Sequence, residues 1–503
     1  MNENLLTRLG GVILYLVVLL VIGVLAARRT KDLRDYVVGG KRLGFLSVAF
    51  SARATGESAW LLLGLTGMGA AVGVRAFWVV LGELIGVGCA WLLLARRFKR
   101  LTDKYDSITV PDYLESRFRD KTHRIRLVAA TALVVFVTIY VSAQIDATGQ
   151  AFEKFLGWNY FAGAIFGFAI VLLYTTGGGF LAVVWSDVFQ GTMMFLGLVT
   201  LPIAGVIAAG GVGPVLEGIR TQDPTLLSFG GSGGWTSIEV ASILALLCIG
   251  IGFLGSPQIF VRFLALRSER EISKGAGLAL FWTLFADAGA VTIGIVGRHL
   301  LGVSNEAVLP DLVAHLMPGF LVGLYIAVVL AAIMSTADSL LVVASSAAIR
   351  DWYQRVRHPD LSDESLLAMS RWATVVLALV ALAVAMTVAI LSPTRTVFWF
   401  VVFGWSGIAA TFCPTVILSL FWPGFTARGA LAAMVSGFLG VPLFKFVVPK
   451  LAGIGPFFAA LEELVPAFVL SALIGVFVSA IDRDGKQAVA NAREDLEEAA
   501  RPD

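Results

Sequence analysis

An all-α membrane fold is predicted, and three observations predict it. The chain carries too little charge for a soluble domain, apolar runs of crossing length recur from end to end, and the basic residues gather on alternate loops. Of 503 residues, 58% are hydrophobic and 15% are charged, against about 25% charged in ordinary soluble domains. A helix needs about 20 mostly apolar residues to cross a hydrocarbon core.

Apolar stretches bounded by charges or Gly/Pro clusters give thirteen candidate crossings: 10–27, 43–73, 74–95, 125–148, 157–176, 184–209, 237–258, 277–301, 318–349, 370–391, 397–420, 427–447 and 463–481. The first is longer than the apolar part of a secretory signal, and Arg28, Arg29 and Lys31 after it hold that end in the cytoplasm. The stretches 43–73 and 318–349 exceed a straight crossing, so each is expected to break, tilt or extend beyond the bilayer.

An odd count puts the termini on opposite sides. With the N-terminus outside, the loops 28–42, 96–124, 259–276 and 350–369 are cytoplasmic, and the loop from Arg96 to Arg124 alone holds nine basic residues. The opposite loops hold isolated cations such as Lys154, Arg220 and Arg395, as the positive-inside rule requires. Residues 1–482 read as a single membrane domain and 483–503 as a short cytoplasmic polar tail with no appended soluble domain.

A net charge of +3 from 38 basic and 35 acidic residues speaks against a nucleic-acid partner. Cys89, Cys248 and Cys413 lie in separate apolar runs without metal-ligand spacing, as buried structural thiols do. No HExxH or nucleotide-binding loop is present, so neither an enzyme nor an ATP-driven pump is expected, and an ion gradient remains as the energy source.

Two crossings make poor continuous helices. The second collects Ser51, Arg53, Thr55, Gly56, Glu57 and Ser58 between apolar flanks, and the seventh places Gly250, Gly252, Gly255, Ser256 and Pro257 late in its run. Freed backbone groups cannot face lipid, so broken helices line a protein or water cavity. Five crossings separate the pair, as in two inverted repeats, and interruptions at matching positions point to a midplane solute and ion site. The alternative is that the small residues only serve close helix packing.

Arg53, Glu57, Glu83, Asp187, Asp287 and Asp338 are ionisable at membrane depth, which costs about 3 kcal/mol each on insertion scales. Arg53 and Glu57 share a face if their turn stays helical, as an ion pair would. Glu83 and Asp287 read as packing or cavity-lining residues. The ninth crossing, AAIMSTADSLLVVASSAA, places Ser335, Thr336, Asp338, Ser339, Ser345 and Ser346 on one aliphatic helix. Single hydroxyls usually bond back to their own helix, but such a cluster beside an unwound helix supplies the oxygens an alkali cation needs.

Six stretches then carry a resemblance: YVVGGKRLG at 36–44, SARATGESAWLLLGLTG at 51–67, ITVPDYLESRF at 108–118, LLYTTGGGFLAVVWSDVFQ at 172–190, GIGFLGSPQIFVRF at 250–263 and MSTADSLLVVASSA at 334–347. In this order the chain resembles the sodium:solute symporter family, closest in pattern to its sodium/proline symporter branch. The resemblance implies a leucine-transporter-like 5+5 inverted-repeat core, repeats at about 43–210 and 237–420, with one extra helix before it and two after. It implies a sodium site from the backbone carbonyls of Ala54, Glu57 and Ala332 and the hydroxyls of Ser335 and Thr336, and a second cation site or exit station at Asp187, Ser345 and Ser346.

The implied substrate pocket comprises Ser58, Ala59, Tyr140, Ile249, Phe253 and Pro257. This chain departs from the branch pattern where Gly56 replaces an Asp, and Ile249 and Phe253 replace Trp and Tyr, which makes the wall more apolar. Arg53, Gly56, Glu57 and Asp338 are the coupling candidates. The expected activity is alternating-access symport of sodium with a small organic solute, an amino acid such as proline or a related zwitterion or carboxylate. The alternatives are proton coupling through Glu57 and a transporter-like sensor without flux. The expected setting is a bacterial cytoplasmic membrane, with the protein a monomer or weak oligomer.

Overall fold

The computed structural model describes residues 3–29, 33–231, 233–354, 358, 360–489 and 492–501. Parts of the loops 28–42 and 350–369, with Lys31, and of the tail 483–503 lie outside the described residues. The described chain is helical, with a single isolated β-bridge between Leu43 and Leu266. The long helices are α1 (Glu3–Ala27), α2 (Phe45–Ala59), α3 (Phe77–Cys89), α4 (Arg124–Leu156), α5 (Tyr160–Ala208), α6 (Ser237–Leu247), α7 (Pro257–Ala265), α8 (Ile272–Leu301), α9 (Gly319–Ser346), α10 (Asp363–Leu391), α11 (Val397–Phe421), α12 (Ala427–Pro442) and α13 (Leu464–Ile481).

Among the described residues, eleven helical stretches are long and apolar enough to cross a membrane. One of them, Phe45–Lys104, runs for 60 residues through two of the crossings expected from sequence, and Tyr160–Leu173 forms a shorter apolar helix. Large apolar side chains point outward along α1, α10 and α13, among them Leu20, Val24, Val376, Ile390, Leu473 and Phe477. Each would cost roughly 1.5–3 kcal/mol if left in water, so these faces need lipid.

The helices begin and end where sequence supplies a cap. Asn159, Thr236, Thr396 and Thr426 accept backbone N–H bonds at the starts of α5, α6, α11 and α12. Glu306 adds its carboxylate at the N-terminus of α11, accepting from Val397 N at 2.8 Å and Phe398 N at 2.9 Å, where negative charge suits the helix dipole.

The structure differs from the sequence reading at one boundary and decides another. The Gly177–Gly179 run is not a loop: helical residues continue through it, and the axis breaks at Gly179, where φ is 55°. Glycine adopts that conformation without a Cβ penalty, so two helices meet end to end. The long ninth crossing resolves as an extension. Helix α9 runs unbroken to Ser346 and continues in wider turns to Gln354.

Helices α2 and α6 do break. Helix α2 leaves helical geometry at Ser58 (φ 41°, ψ −165°) and resumes through Trp60–Leu65 to Val72. Helix α6 tightens into 3-10 turns over Cys248–Leu254, passes through Gly255 and Ser256, and restarts as α7 at Pro257, whose fixed φ suits a first helical turn. Gly82 and Gly86 of α3 and Gly250 bring backbones into direct contact there, since a Cβ on Gly250 would strike the Gly82 carbonyl oxygen, and one on Gly82 or Gly86 would strike that of Leu247 or Gly250. The bridge ties the outer ends of the two broken helices together, with Leu43 N donating to Ala265 O at 3.0 Å and Arg267 N to Leu43 O at 2.9 Å.

Candidate functional site

The break in α2 presents two chemically different faces. One carries Ser51, Ala54 and Thr55 toward α5, α7 and α9, and the other carries Arg53 and Glu57 toward α3 and α8.

On the first face, the Ser335 hydroxyl of α9 donates to the Ala54 carbonyl at 2.9 Å and to Ala332 O at 3.1 Å. Thr336 donates to Thr55 O at 2.9 Å and reaches Ala54 O at 3.5 Å. Four of the five expected sodium ligands therefore converge. The Glu57 carbonyl instead accepts the Trp60 N–H that closes the break, and the Thr55 carbonyl, absent from the expected set, lies within reach of Thr336. All these residues are buried. The set consists of neutral oxygens, as a monovalent hard cation requires.

One turn away, Arg262 of α7 is buried and uses its guanidinium fully. It donates to Ser51 Oγ at 3.1 Å, Gln258 O at 2.6 Å, Thr55 Oγ1 at 2.8 Å, Ser339 Oγ at 2.5 Å and Asp187 Oδ2 at 3.3 Å. Ser51 also donates to Asp187 at 2.6 Å. Asp187 is thus the counter-ion of an arginine. Ser345 and Ser346, expected beside it, bond back to Val342 O at 3.1 and 2.7 Å, and on α9 they stand about 9 Å farther along the axis than Ser339. The hydrogen bonds join Asp187 to Ser339's end of the helix and not to theirs. Asp338 is buried on α9 between these groups, near enough to Arg262 for their charges to interact.

On the second face, Arg53 pairs with Glu57, as the i,i+4 spacing implies, and also with Glu83 of α3 at 3.1 Å. Its guanidinium lies 4.9 Å from the Phe253 ring and 5.6 Å from that of Trp282. Asp287 of α8 joins them, with carboxylate oxygens of Glu57, Glu83 and Asp287 within 4.8 Å of one another. Glu83 and Asp287, read from sequence as packing or cavity-lining residues, thus stand in one charged cluster with Arg53 and Glu57.

Between the faces, four of the expected pocket residues gather around Trp405 of α11, and Ala59 joins them through its backbone. Tyr140 OH donates to Ser58 Oγ at 3.4 Å, Trp405 Nε1 donates to Ile249 O at 3.0 Å, and Phe253 packs on Trp405 with ring centroids 5.1 Å apart. Ala59 N donates to Gln144 Oε1 at 3.1 Å. Pro257 stands apart, in a narrow space with Val110, Val261, Ser346 and Asp351. Gly56 lies under Phe253, where a Cβ would come 2.7 Å from the ring. The ring occupies the space a side chain at position 56 would need, which relates the two departures from the branch pattern. Gly56→Ala is expected to destabilise the protein by about 1–3 kcal/mol through overpacking, with recovery in Gly56→Ala/Phe253→Leu, measured by thermal unfolding in detergent. Equal losses in both variants would show that the ring is not the obstacle.

Residues 36–437 match the profile of the Sodium:solute symporter family. The chain belongs to that family. As a family member it is a secondary transporter that couples a small solute to sodium, and not an enzyme. It is 35% identical over 487 residues to the high-affinity proline transporter PutP of Bacillus subtilis (strain 168), covering 95% of this chain and 99% of that one. It is 33% identical over 475 residues to the sodium/proline symporter of Escherichia coli (strain K12), covering 92% and 91%. Its fold is similar to the substrate-bound, outward-open structure of a Na+-coupled sialic acid symporter, with a TM-score of 0.78 at 20% identity over 95% of this chain and 98% of that one. MhsT in complex with L-phenylalanine superposes with a TM-score of 0.51 at 17% identity, covering 88% and 98%. The fold class is thus the leucine-transporter-like one, and the chain is an integral membrane protein.

Sequence reasoning missed Gln144, Trp405 and Arg262. A polar inventory that included amides would have flagged Gln144. Arg262 sits four residues after a glutamine in a segment read as a loop, and nothing in its neighbourhood distinguishes it from a cytoplasmic cation.

Proposed function

We propose that this family member takes up proline, or a closely related small amino or imino acid, together with sodium. It would do so across a bacterial cytoplasmic membrane, with its N-terminus outside and residues 1–482 acting as one transport unit built on repeats at about 43–210 and 237–420. The observation that carries the reading is the set of hydroxyl-to-carbonyl contacts from Ser335 and Thr336 across to Ala54 and Thr55. These oxygens belong to two helices, one of them broken next to the proposed solute contacts at Ser58 and Tyr140. A sodium ion held by both helices favours the arrangement in which they touch, and a solute that needs the same arrangement binds more tightly when sodium is present. The coupling is reciprocal.

The apolar wall of Ile249, Phe253 and Trp405 suits a small apolar ring or side chain. The Ser58 hydroxyl, the Tyr140 hydroxyl and the Gln144 amide supply polar contacts for a zwitterionic end. Asp187 reads better as the counter-ion of Arg262 than as a ligand of a second cation. The experiment is uptake of proline by the purified protein in liposomes, with and without an inward sodium gradient. Concentrative uptake that collapses without the gradient is expected, and competition by other amino acids then defines the substrate range. Proline uptake of equal size in sodium and in choline would refute sodium coupling. The buried carboxylates at Arg53 favour a second reading, in which protons also bind.

A further inference from the structure

The second face of α2 contains more negative charge than it can balance. Glu57, Glu83 and Asp287 are each at most 1% exposed and bring their oxygens within 4.8 Å, while Arg53, also 1% exposed, is the cation paired with them. Arg53 is shared by the two glutamates. Asp287 enters from α8, and among the described residues neither of its carboxylate oxygens meets a hydrogen-bond donor. An ionised carboxylate buried without a donor is among the costliest arrangements a protein can hold, so the geometry calls for a cation that Asp287 can receive.

A proton fits this place better than a metal ion does. The Arg53 guanidinium already pairs with two of the three carboxylates, so a metal ion would bring a second positive charge against a fixed one. A proton needs one oxygen and no space. It converts Asp287 from an acceptor without a donor into a donor to a glutamate oxygen, and it lowers the negative charge by one.

We propose that Asp287 and Glu83 form a proton-binding site beside the break in α2, distinct from the proposed sodium ligands on its other face. In the binding step one aqueous proton adds to one carboxylate oxygen and no other bond is made or broken. The groups that face Asp287 are Arg53 and Glu57 from α2 and Glu83 from α3, and Tyr140 of α4 faces Glu83 in turn. The other elements packed on α8 leave the site alone. Helix α5 directs Asp187 into the Arg262 network, the Thr66–Val72 segment has no titratable residue, Arg75 pairs with Glu239, Glu269 with Arg100 and Glu271 with Arg267, and Glu217, Arg220, Arg270, Asp311 and His315 are exposed. Because Arg53 comes from α2 while Glu83 and Asp287 come from α3 and α8, a transport movement that parts α2 from the other two takes the fixed positive charge away and changes how firmly the site holds its proton. In this respect the inference rests on the symport reading. The binding itself does not.

The test is infrared spectroscopy of the full-length protein in liposomes, in sodium and in choline. A protonated-carboxyl C=O band that shifts in D2O is expected from the wild type in both salts, and its loss or displacement is expected in Asp287→Asn and in Glu83→Gln, each first checked for a monodisperse folded protein. The same vesicles report the pH profile of sodium-driven proline uptake, which is expected to flatten in Asp287→Asn. An unchanged band in both variants overturns the proposal, and a band that disappears when sodium is added would make this a sodium site instead. If the wild type takes up no proline, the transport reading fails while the infrared comparison still decides the proton site.

Discussion

Replacing Ser335 and Thr336 together with alanine is expected to raise the sodium concentration for half-maximal uptake by on the order of 100-fold, with little loss of protein in the membrane. A hydrogen-bonding group that serves a charged partner contributes about 1.5–3 kcal/mol, and each 1.4 kcal/mol is about tenfold in affinity, so two ion-directed hydroxyls account for a factor of that order. The folding cost is smaller. Both hydroxyls sit on an unbroken helix and donate to carbonyls at the interruption of α2, so alanine leaves the α9 backbone intact. The measurement is the sodium dependence of initial uptake rates, normalised to protein in the vesicles. An unchanged sodium requirement in the double variant would remove these hydroxyls from the site.

Asp187→Ala is expected to be destabilising by about 3 kcal/mol, because it removes the carboxylate paired with a buried guanidinium and leaves Asp338 as its charged neighbour. Arg262 keeps the Ser51, Thr55 and Ser339 hydroxyls and the Gln258 carbonyl as acceptors, but none of these carries charge. Removing both charges in Asp187→Asn/Arg262→Gln is expected to cost clearly less than the two single substitutions summed, the signature of a coupled pair. Thermal unfolding of the purified variants in detergent provides the comparison. Strictly additive losses would mean that the two residues act independently.

The break in α2 was legible because Ser51 to Ser58 places polar and charged groups where an uninterrupted crossing would be aliphatic, and no other architecture tolerates them at that depth. The hydroxyl cluster of α9 was legible for the same reason. Their meeting was not a local property: nothing within either segment says which helix packs against which, and it entered only through the family resemblance. Glu83 and Asp287 show the limit most clearly. Each was visible as a charge in an apolar run, yet Arg53, the partner of Glu83, lies 30 residues from it, and the cluster that brings Asp287 to them draws on three different helices. The Gly177–Gly179 run misled in the opposite direction. Consecutive glycines read as a loop, but in a membrane the backbone is driven to keep its own hydrogen bonds, and a single residue at positive φ was enough to redirect the chain.

The Leu43–Leu266 bridge makes the two broken helices a single lever. With α2 and α7 fastened at that end and joined again where Arg262 reaches Ser51 and Thr55, a swing of either carries the other. A swing of that lever breaks the contacts to Asp187 on α5 and to Ser335, Thr336 and Ser339 on α9. The proposed sodium ligands and the arginine pair then come apart in one stroke.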